Sequence, residues 1–353
     1  MSAAIDSDSV GARRIRASEP EDAAAIAALM SDAGLRPNVD PQHLYWKYWQ
    51  EREDWPGSRS YVLTDGNNLL AHGALVPAYC SCEPGRLRIV HMIDWAARRS
   101  EPGAGVTLMK YIGNLADGLL GIGGSAATLK IMPLLGYRPY GLVTGYVRPL
   151  HPLRLLSGVA EANWKVLPRV ARSALWRLTA PRPVRGEWRA QRIAAGEVGQ
   201  IASVLPTRGR EFDLLERTEA LMRHTLACPI VPVELYALER SGRLQGYFLL
   251  TYAPGQARLV DSWVASDEAA DWRALIQCAV LEASRNGGAA ELVTWANDSL
   301  LAQSLIECGF RARLTLPVYL RATTPGVAPG LLRVQMLDND AAYLREGRPE
   351  LWA

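Results

Sequence analysis

The chain has 353 residues, 49% of them hydrophobic and 21% charged, with a formal net charge of +3. That length suits about two globular domains with cores of their own, and so slight a positive excess argues, on composition alone, against a nucleic-acid or membrane partner. No uncharged apolar run reaches the ~18 residues of a membrane span, and the first 14 residues lack the apolar stretch of a secretory signal. The five cysteines contain no CxxC pair, so Cys80 and Cys82 read as ordinary thiols with no metal, and a cytoplasmic protein is expected.

Taken in chain order, residues 1–12 are small and polar and are expected to be disordered. A strand over 14–16 leads to a helix that Ser18 can cap. Pro20 fits its first turn, Glu21 and Asp22 suit its positive end, and Ile26, Leu29 and Met30 form its apolar stripe. A second helix over 41–50 carries Leu44, Tyr45, Trp46, Lys47, Tyr48 and Trp49. Residues 60–78 read as a hairpin turning at Asp65-Gly66-Asn67-Asn68. Then come a strand over 86–96, a helix over 103–118, a strand over 120–124, a helix over 125–135 ended by Gly136, and a strand over 142–148. Residues 149–187 are rich in Arg and Pro and poor in acids. Their basic amphipathic helix over 168–179 either braces the two halves or lies on an anionic membrane surface.

The same order then recurs. A strand over 188–193, a helix over 195–204, a hairpin over 235–252 and a strand over 257–264 come first. A helix over 267–286, a strand over 290–295, a helix over 299–308 ended by Gly309, and a strand over 311–321 complete it. A tail over 322–353 could add one strand at 331–337. Two landmarks measure the repeat: Gly73 and Gly246, each opening the second arm of a hairpin, and Gly136 and Gly309, each ending a helix, lie 173 residues apart. That period is far too long for a solenoid and implies a duplicated α/β unit. The chain divides accordingly into 13–148, a linker over 149–187, 188–321, and the tail.

One segment of the first half carries recognisable chemistry. Ile93, Asp94 and Trp95 end a strand, Arg98, Arg99, Ser100 and Glu101 form a loop, and Gly103-Ala104-Gly105-Val106 opens a helix. Amides at a helix N-terminus bind anions, and glycines let a phosphate approach closely. In its order of elements, from the opening Arg14–Asp22 strand and helix through the Gly103-Ala104-Gly105 loop to Gly136-Tyr137, the region 13–148 resembles the GNAT (GCN5-related N-acetyltransferase) superfamily. Residues 188–321 resemble a second, more divergent unit. The Leu44–Tyr48 element resembles GNAT-like proteins associated with surface-polysaccharide synthesis.

The resemblance implies an α/β fold of two tandem GNAT-like domains, each a mixed, mostly antiparallel twisted sheet flanked by helices. It implies acyl transfer from acetyl-CoA or another acyl-CoA to an amine or hydroxyl of a small acceptor such as a saccharide precursor. The pantetheine would lie along the strand bearing Ile93 and Trp95, and the amides of Gly103, Ala104, Gly105 and Val106 would hold the pyrophosphate, helped by Arg98 and Arg99. Two positions depart from the family pattern. Ser100 stands where an Arg or Gln is usual, and Met132 (Leu305 in the second half) stands where a tyrosine often protonates the leaving thiolate. The acids Asp267, Glu268 and Asp271 replace the second half's phosphate loop, so that copy is expected to be degenerate. A FemAB-like aminoacyl transferase and a non-catalytic CoA-binding or scaffold protein are the alternatives, with a monomer or homodimer in each case.

Catalytic candidates follow from position. Asp94 beside Trp95 is expected to have a raised pKa through burial and to act as a base. His91, three residues earlier, shares its groove only if the strand bulges. Tyr137 is a candidate acid, and Trp46, Tyr48 and His72 are candidate acceptor contacts.

Overall fold

The computed structural model describes residues 13–35, 40–82, 85–158, 166–183, 186–207, 209, 212–323, 330–343 and 349–353. The disorder expected of 1–12 lies outside them, as do 159–165 and 184–185 of the linker and 324–329 and 344–348 of the tail. The first half runs β1 (Arg13–Ala17), α1 (Ala23–Asp32), α2 (Pro41–Leu44, continued by a π-helical turn Tyr45–Trp49), β2 (Ser60–Asp65) and β3 (Asn68–Cys82). It continues with β4 (Gly85–Ala97), α3 (Ala104–Ile112), β5 (Gly118–Ile122), α4 (Ala126–Ile131) and β6 (Arg138–Pro149). Helix α5 (Val166–Thr179) leads to β7 (Trp188–Ile193), a 3-10 stretch Ala195–Val204, β8 (Asp213–Leu214), α6 (Glu219–Leu226), β9 (Val233–Arg240), β10 (Arg243–Ala253) and β11 (Gln256–Val264). Then follow α7 (Ala269–Arg285), β12 (Glu291–Ala296), α8 (Ser299–Glu307), β13 (Arg311–Ala322) and β14 (Leu332–Arg333).

The 173-residue offset extends to element starts: Ser60 and Val233, Gly118 and Glu291, Ala126 and Ser299, and Arg138 and Arg311 open equivalent elements. Gly136 and Gly309 both take left-handed backbone, with φ of 84° and 83°, where a side chain would be strained. Three elements differ locally from expectation. Helix α3 stops at Ile112, because Gly113 caps it. The expected helix over 195–204 is a 3-10 stretch. Helix α6 was not read from the sequence, although Thr218 caps it by accepting a hydrogen bond from the Leu221 amide at 3.0 Å.

The strands form one twelve-stranded sheet in the order β1-β2-β3-β4-β5-β13-β6-β12-β11-β10-β9-β7. Its contacts are antiparallel except β4–β5 and β11–β12. The closing strands of the two halves exchange places: β13 pairs with β5 of the first half, and β6 pairs with β12 of the second. The sheet therefore crosses the boundaries of the sequence repeat. One core cluster joins Trp46, Ile89 and Val143 to Leu249, Val293 and Trp295.

Two irregularities position the site. In the β3–β4 ladder His72 faces Ala96 while Ala74 faces Ile93, so Asp94 and Trp95 together oppose Gly73. Asp94 takes a φ of 49° there, and such a bulge bends and twists its strand. Beside it, β4 and β5 stay paired over Ile89–His91 against Gly118–Leu120 and then part. The second half repeats the arrangement. Val260 is the extra residue of a β10–β11 bulge, and β11 pairs with β12 over Gln256–Leu259 against Glu291–Thr294.

Candidate active site

Where β4 and β5 part, a groove of about 850 Å³ opens. Ile93, Trp95, Met109, Leu120, Ile122 and Ile131 give it apolar walls, and His91, Asp94, Asn339 and Asp340 form its polar root. Gly121 lies against Met132 Cε, so a Cβ there would displace the Met132 methyl. Met132 and Tyr137 also line the groove.

The Gly-rich loop stands on the same strand. Gly103 caps α3 with a φ of 87°, and the Ala104 amide turns back to the Glu101 carbonyl at 3.2 Å. Gly105 fits under the strand: the Trp95 indole donates to its carbonyl at 3.2 Å, and a Cβ on it would lie 3.0 Å from Trp95 Nε1 and 3.1 Å from Ala97 Cβ. First-turn amides such as those of Gly105 and Val106 have no partner within their helix and are suited to an anion. Glu101, the acid beside the loop, is paired with Arg13 at 2.8 Å. Arg99 lines the groove, whereas Arg98 donates through Nε to the Leu69 carbonyl at 2.7 Å and anchors the end of the strand.

At the root, Lys47 Nζ lies 2.6 Å from Asp94 Oδ2 and 3.4 Å from Asp340 Oδ2, and the Tyr48 hydroxyl donates to Asp94 at 2.7 Å. The two carboxylates respond in opposite directions. Burial pushes the Asp94 pKa up, but the charge and hydrogen bond of Lys47, together with Tyr48, outweigh it and hold Asp94 below the ordinary value. The raised pKa expected of Asp94 is thus reversed by a cation from α2. Burial raises Asp340, Lys47 offsets this in part, and the neighbouring Asp94 adds to the rise, so Asp340 stays above the usual carboxylate range. Divergent carboxylates of this kind separate a fixed charge from a group that can exchange a proton.

Both histidines are held in one neutral tautomer. His72, fully buried, donates from Nδ1 to the Asp94 carbonyl at 3.0 Å and accepts at Nε2 from the Ser60 hydroxyl at 2.9 Å. It therefore lies behind the bulge. His91 donates from Nδ1 to the Leu120 carbonyl at 2.9 Å and accepts at Nε2 from Asn339 at 2.8 Å, and burial lowers its pKa. The bulge brings His91 and Asp94 to one groove, as their strand spacing required.

Burial lowers the His72 pKa to about 4. The unfolded chain takes up that proton below about 6.5 and the folded one resists it, so His72 costs stability as pH falls from about 6.5 to 4. We expect the melting temperature to drop across that interval, with a shallower slope in His72→Gln. Melts at pH 7, 6, 5 and 4 that give parallel curves for both proteins would refute the assignment.

Tyr137 directs its hydroxyl at Met109 Sδ (3.9 Å), and burial raises its pKa. Tyr48 serves Asp94. Trp46 is 3% exposed, donates to the His224 carbonyl at 2.7 Å and stacks on the His224 ring at 4.7 Å, joining α2 to α6. Lys47, Asn339 and Asp340 were missed in the sequence. Lys47 lay within an aromatic run, and the one signal from the tail was a polar Asp338-Asn339-Asp340 following apolar residues.

The second half has a parallel cluster. Arg217 pairs with Asp261 and Asp338, each at 2.8 Å, and the Tyr247 hydroxyl donates to Asp261 at 2.6 Å. The gap between β11 and β12 is bridged by the chain's own tail. Gln335 bonds to the amide, hydroxyl and carbonyl of Ser262 on one side. On the other side, Asn297 donates to the Leu332 carbonyl and accepts from the Val334 amide, both at 2.8 Å.

Among the described residues no group of three or more His, Cys, Asp or Glu is placed to hold a metal, and no helix is long and apolar enough to cross a membrane. No family model matches the chain and no curated protein matches it. Solved structures share its fold at low identity. A conserved protein of unknown function from Enterococcus faecalis, described as a probable N-acyltransferase, superposes with a TM-score of 0.58 at 14% identity, covering 88% of this chain and 73% of that one. A GCN5-related N-acetyltransferase from Anabaena variabilis gives 0.55 at 11%, covering 89% and 73%. Saccharomyces cerevisiae N-myristoyltransferase with bound myristoyl-CoA gives 0.59 at 14%, covering 90% and 83%.

Proposed function

With the fold of the GCN5-related acyltransferases as premise, we propose that the chain transfers an acyl group from acyl-CoA to an amine or hydroxyl of a small acceptor in the cytoplasm. The observation that carries this reading is the split between β4 and β5, which has a Gly-rich helix N-terminus on its flank and a partly buried carboxylate of raised pKa at its root. The pyrophosphate would rest on the amides of Gly105 and Val106 with Arg99 beside them, and the pantetheine would run along Ile93 and Trp95. Asp340 would accept the proton of the incoming N–H or O–H as the nucleophile bonds to the thioester carbon. An amide released from the ladder by the Asp94–Trp95 bulge would polarise the carbonyl. As the C–S bond breaks, the thiolate takes a proton from Tyr137 or water. Asp94, held ionised by Lys47, would supply fixed charge, and the second half, its gap bridged by the tail, would act as support. A saccharide precursor is the first acceptor to try, on the strength of the Leu44–Tyr48 resemblance.

Titration calorimetry with acetyl-CoA and longer acyl-CoAs tests the binding step, and no heat at millimolar ligand would sink the proposal. Gly105→Glu should weaken binding about 100-fold or more, because its side chain meets Trp95 and Ala97 and brings a negative charge to the phosphate site. An unchanged Kd would move the cofactor elsewhere. Met132 in place of a proton donor favours a second reading, a CoA-binding protein without turnover. Product formation by wild-type protein would exclude it.

A further inference from the structure

Helix α5 buries one face and leaves an apolar stripe on the other. Val170, Ser173 and Trp176 turn inward, and the Trp176 indole donates to the Gly309 carbonyl at 2.9 Å. Leu167, Ala171, Leu175 and Leu178, spaced four, four and three residues apart, share the outer face. The leucines are 59%, 64% and 82% exposed, and Leu153, on the 3-10 turn packed against α5, is 72% exposed. A contiguous exposed patch of this kind marks an interaction surface.

Arginines of α5 and β13 cluster around the patch. Arg172 and Arg177 are exposed on the helix, and α5 contains no acid. Arg311 and Arg313 of β13 place their guanidinium groups 4.3 Å and 5.1 Å from the centre of the Trp176 ring. The groups crowd one another: burial lowers the Arg313 pKa, and Arg172 and Arg311 lower it further against an opposing pull from the buried Glu291. Gathering like charges beside apolar side chains costs free energy unless anions join them, and phosphates of a lipid surface supply anions at the depth where leucines enter acyl chains.

We propose that the α5 face is a peripheral membrane-docking surface, its leucines seated in the acyl region of an anionic bilayer and its arginines on the lipid phosphates. The charge complementarity selects an anionic membrane over a second copy of the chain, whose own arginines would face these. The surface acts without any turnover, so it stands independently of the acyl-transfer reading.

The test is flotation of the full chain with vesicles of phosphatidylcholine alone or with one third phosphatidylglycerol. Binding is expected to the phosphatidylglycerol vesicles and to weaken with salt. Arg172→Gln with Arg177→Gln should lower partitioning about 30-fold, at roughly fivefold per basic residue near the surface. Leu175→Ser with Leu178→Ser should lower it at least tenfold. Because these leucines are exposed, the unchanged melting temperature expected of that variant keeps the comparison valid. No binding of wild-type protein to anionic vesicles would overturn the proposal. So would binding that the leucine variant retains, which is mere adsorption, or a wild-type dimer that the leucine variant abolishes.

Discussion

Asp340→Asn is expected to lower kcat/KM for acyl transfer by about 10²- to 10⁴-fold, the range associated with loss of a general base, while leaving the fold intact. Kinetics and stability part company here for a stated reason. Asp340 has a folded pKa above its unfolded one. The sign of the linkage is therefore unfavourable at neutral pH: its stabilising contribution is present below the unfolded carboxylate pKa and is lost as pH rises through the folded value. Removing the charge leaves the 2.6 Å Lys47–Asp94 pair in place, so the melting temperature should hold or rise. The wild-type rate should climb with pH through the raised Asp340 pKa, and that acidic limb should vanish in the variant. A kcat/KM within threefold of wild type would remove Asp340 from the mechanism, and a fall matched by a collapsed melting temperature would make it structural.

Lys47→Met should have the opposite profile, a loss of stability of about 3–5 kcal/mol. The ammonium is buried, and the charges of Asp94 and Asp340 keep its pKa raised against a burial penalty that lowers it. Without it two buried carboxylates, one of them also holding the Tyr48 hydroxyl, face each other with no cation between them. A buried pair that loses one partner costs more than a pair replaced whole. The triple variant Lys47→Met, Asp94→Asn, Asp340→Asn should therefore recover much of the loss, and the non-additivity would measure the coupling. Denaturant melts of the single and triple variants decide the matter: equal midpoints for Lys47→Met and wild type would show that the cluster contributes nothing to the fold.

The two clusters suggest how one tail serves both halves. Asp338 completes the Arg217–Asp261 pair and Asp340 the Lys47–Asp94 pair, two residues apart, with Asp338 ending one 3-10 turn and Asp340 opening the next. Residues Leu332–Gln335 meanwhile bridge the second gap by the bonds of Asn297 and Ser262. The first gap receives Asn339 and Asp340 at its root and stays open above them. The asymmetry between the halves thus comes from where a single segment of about ten residues lies.

What the amino-acid sequence determined by itself was local. Alternation and 3.6-residue spacing marked most elements, Gly136 and Gly309 marked helix ends with left-handed backbone, and the 173-residue offset marked the duplication. Gly103-Ala104-Gly105 marked a glycine-capped helix start. These features depend on neighbours within a turn or a hairpin, so a residue's own type and spacing carry them. Tertiary structure alone decided the rest. Nothing in the period-two pattern of β6 and β13 states that each pairs with the other half, because strand pairing is settled by which edges and apolar faces meet in the folded core. The Asp94 carboxylate was legible, but its protonation was not. Its pKa depends on Lys47 and Tyr48, 47 and 46 residues earlier, and groups so far apart in sequence act on each other only when folding brings them within a few ångströms and removes the water between them.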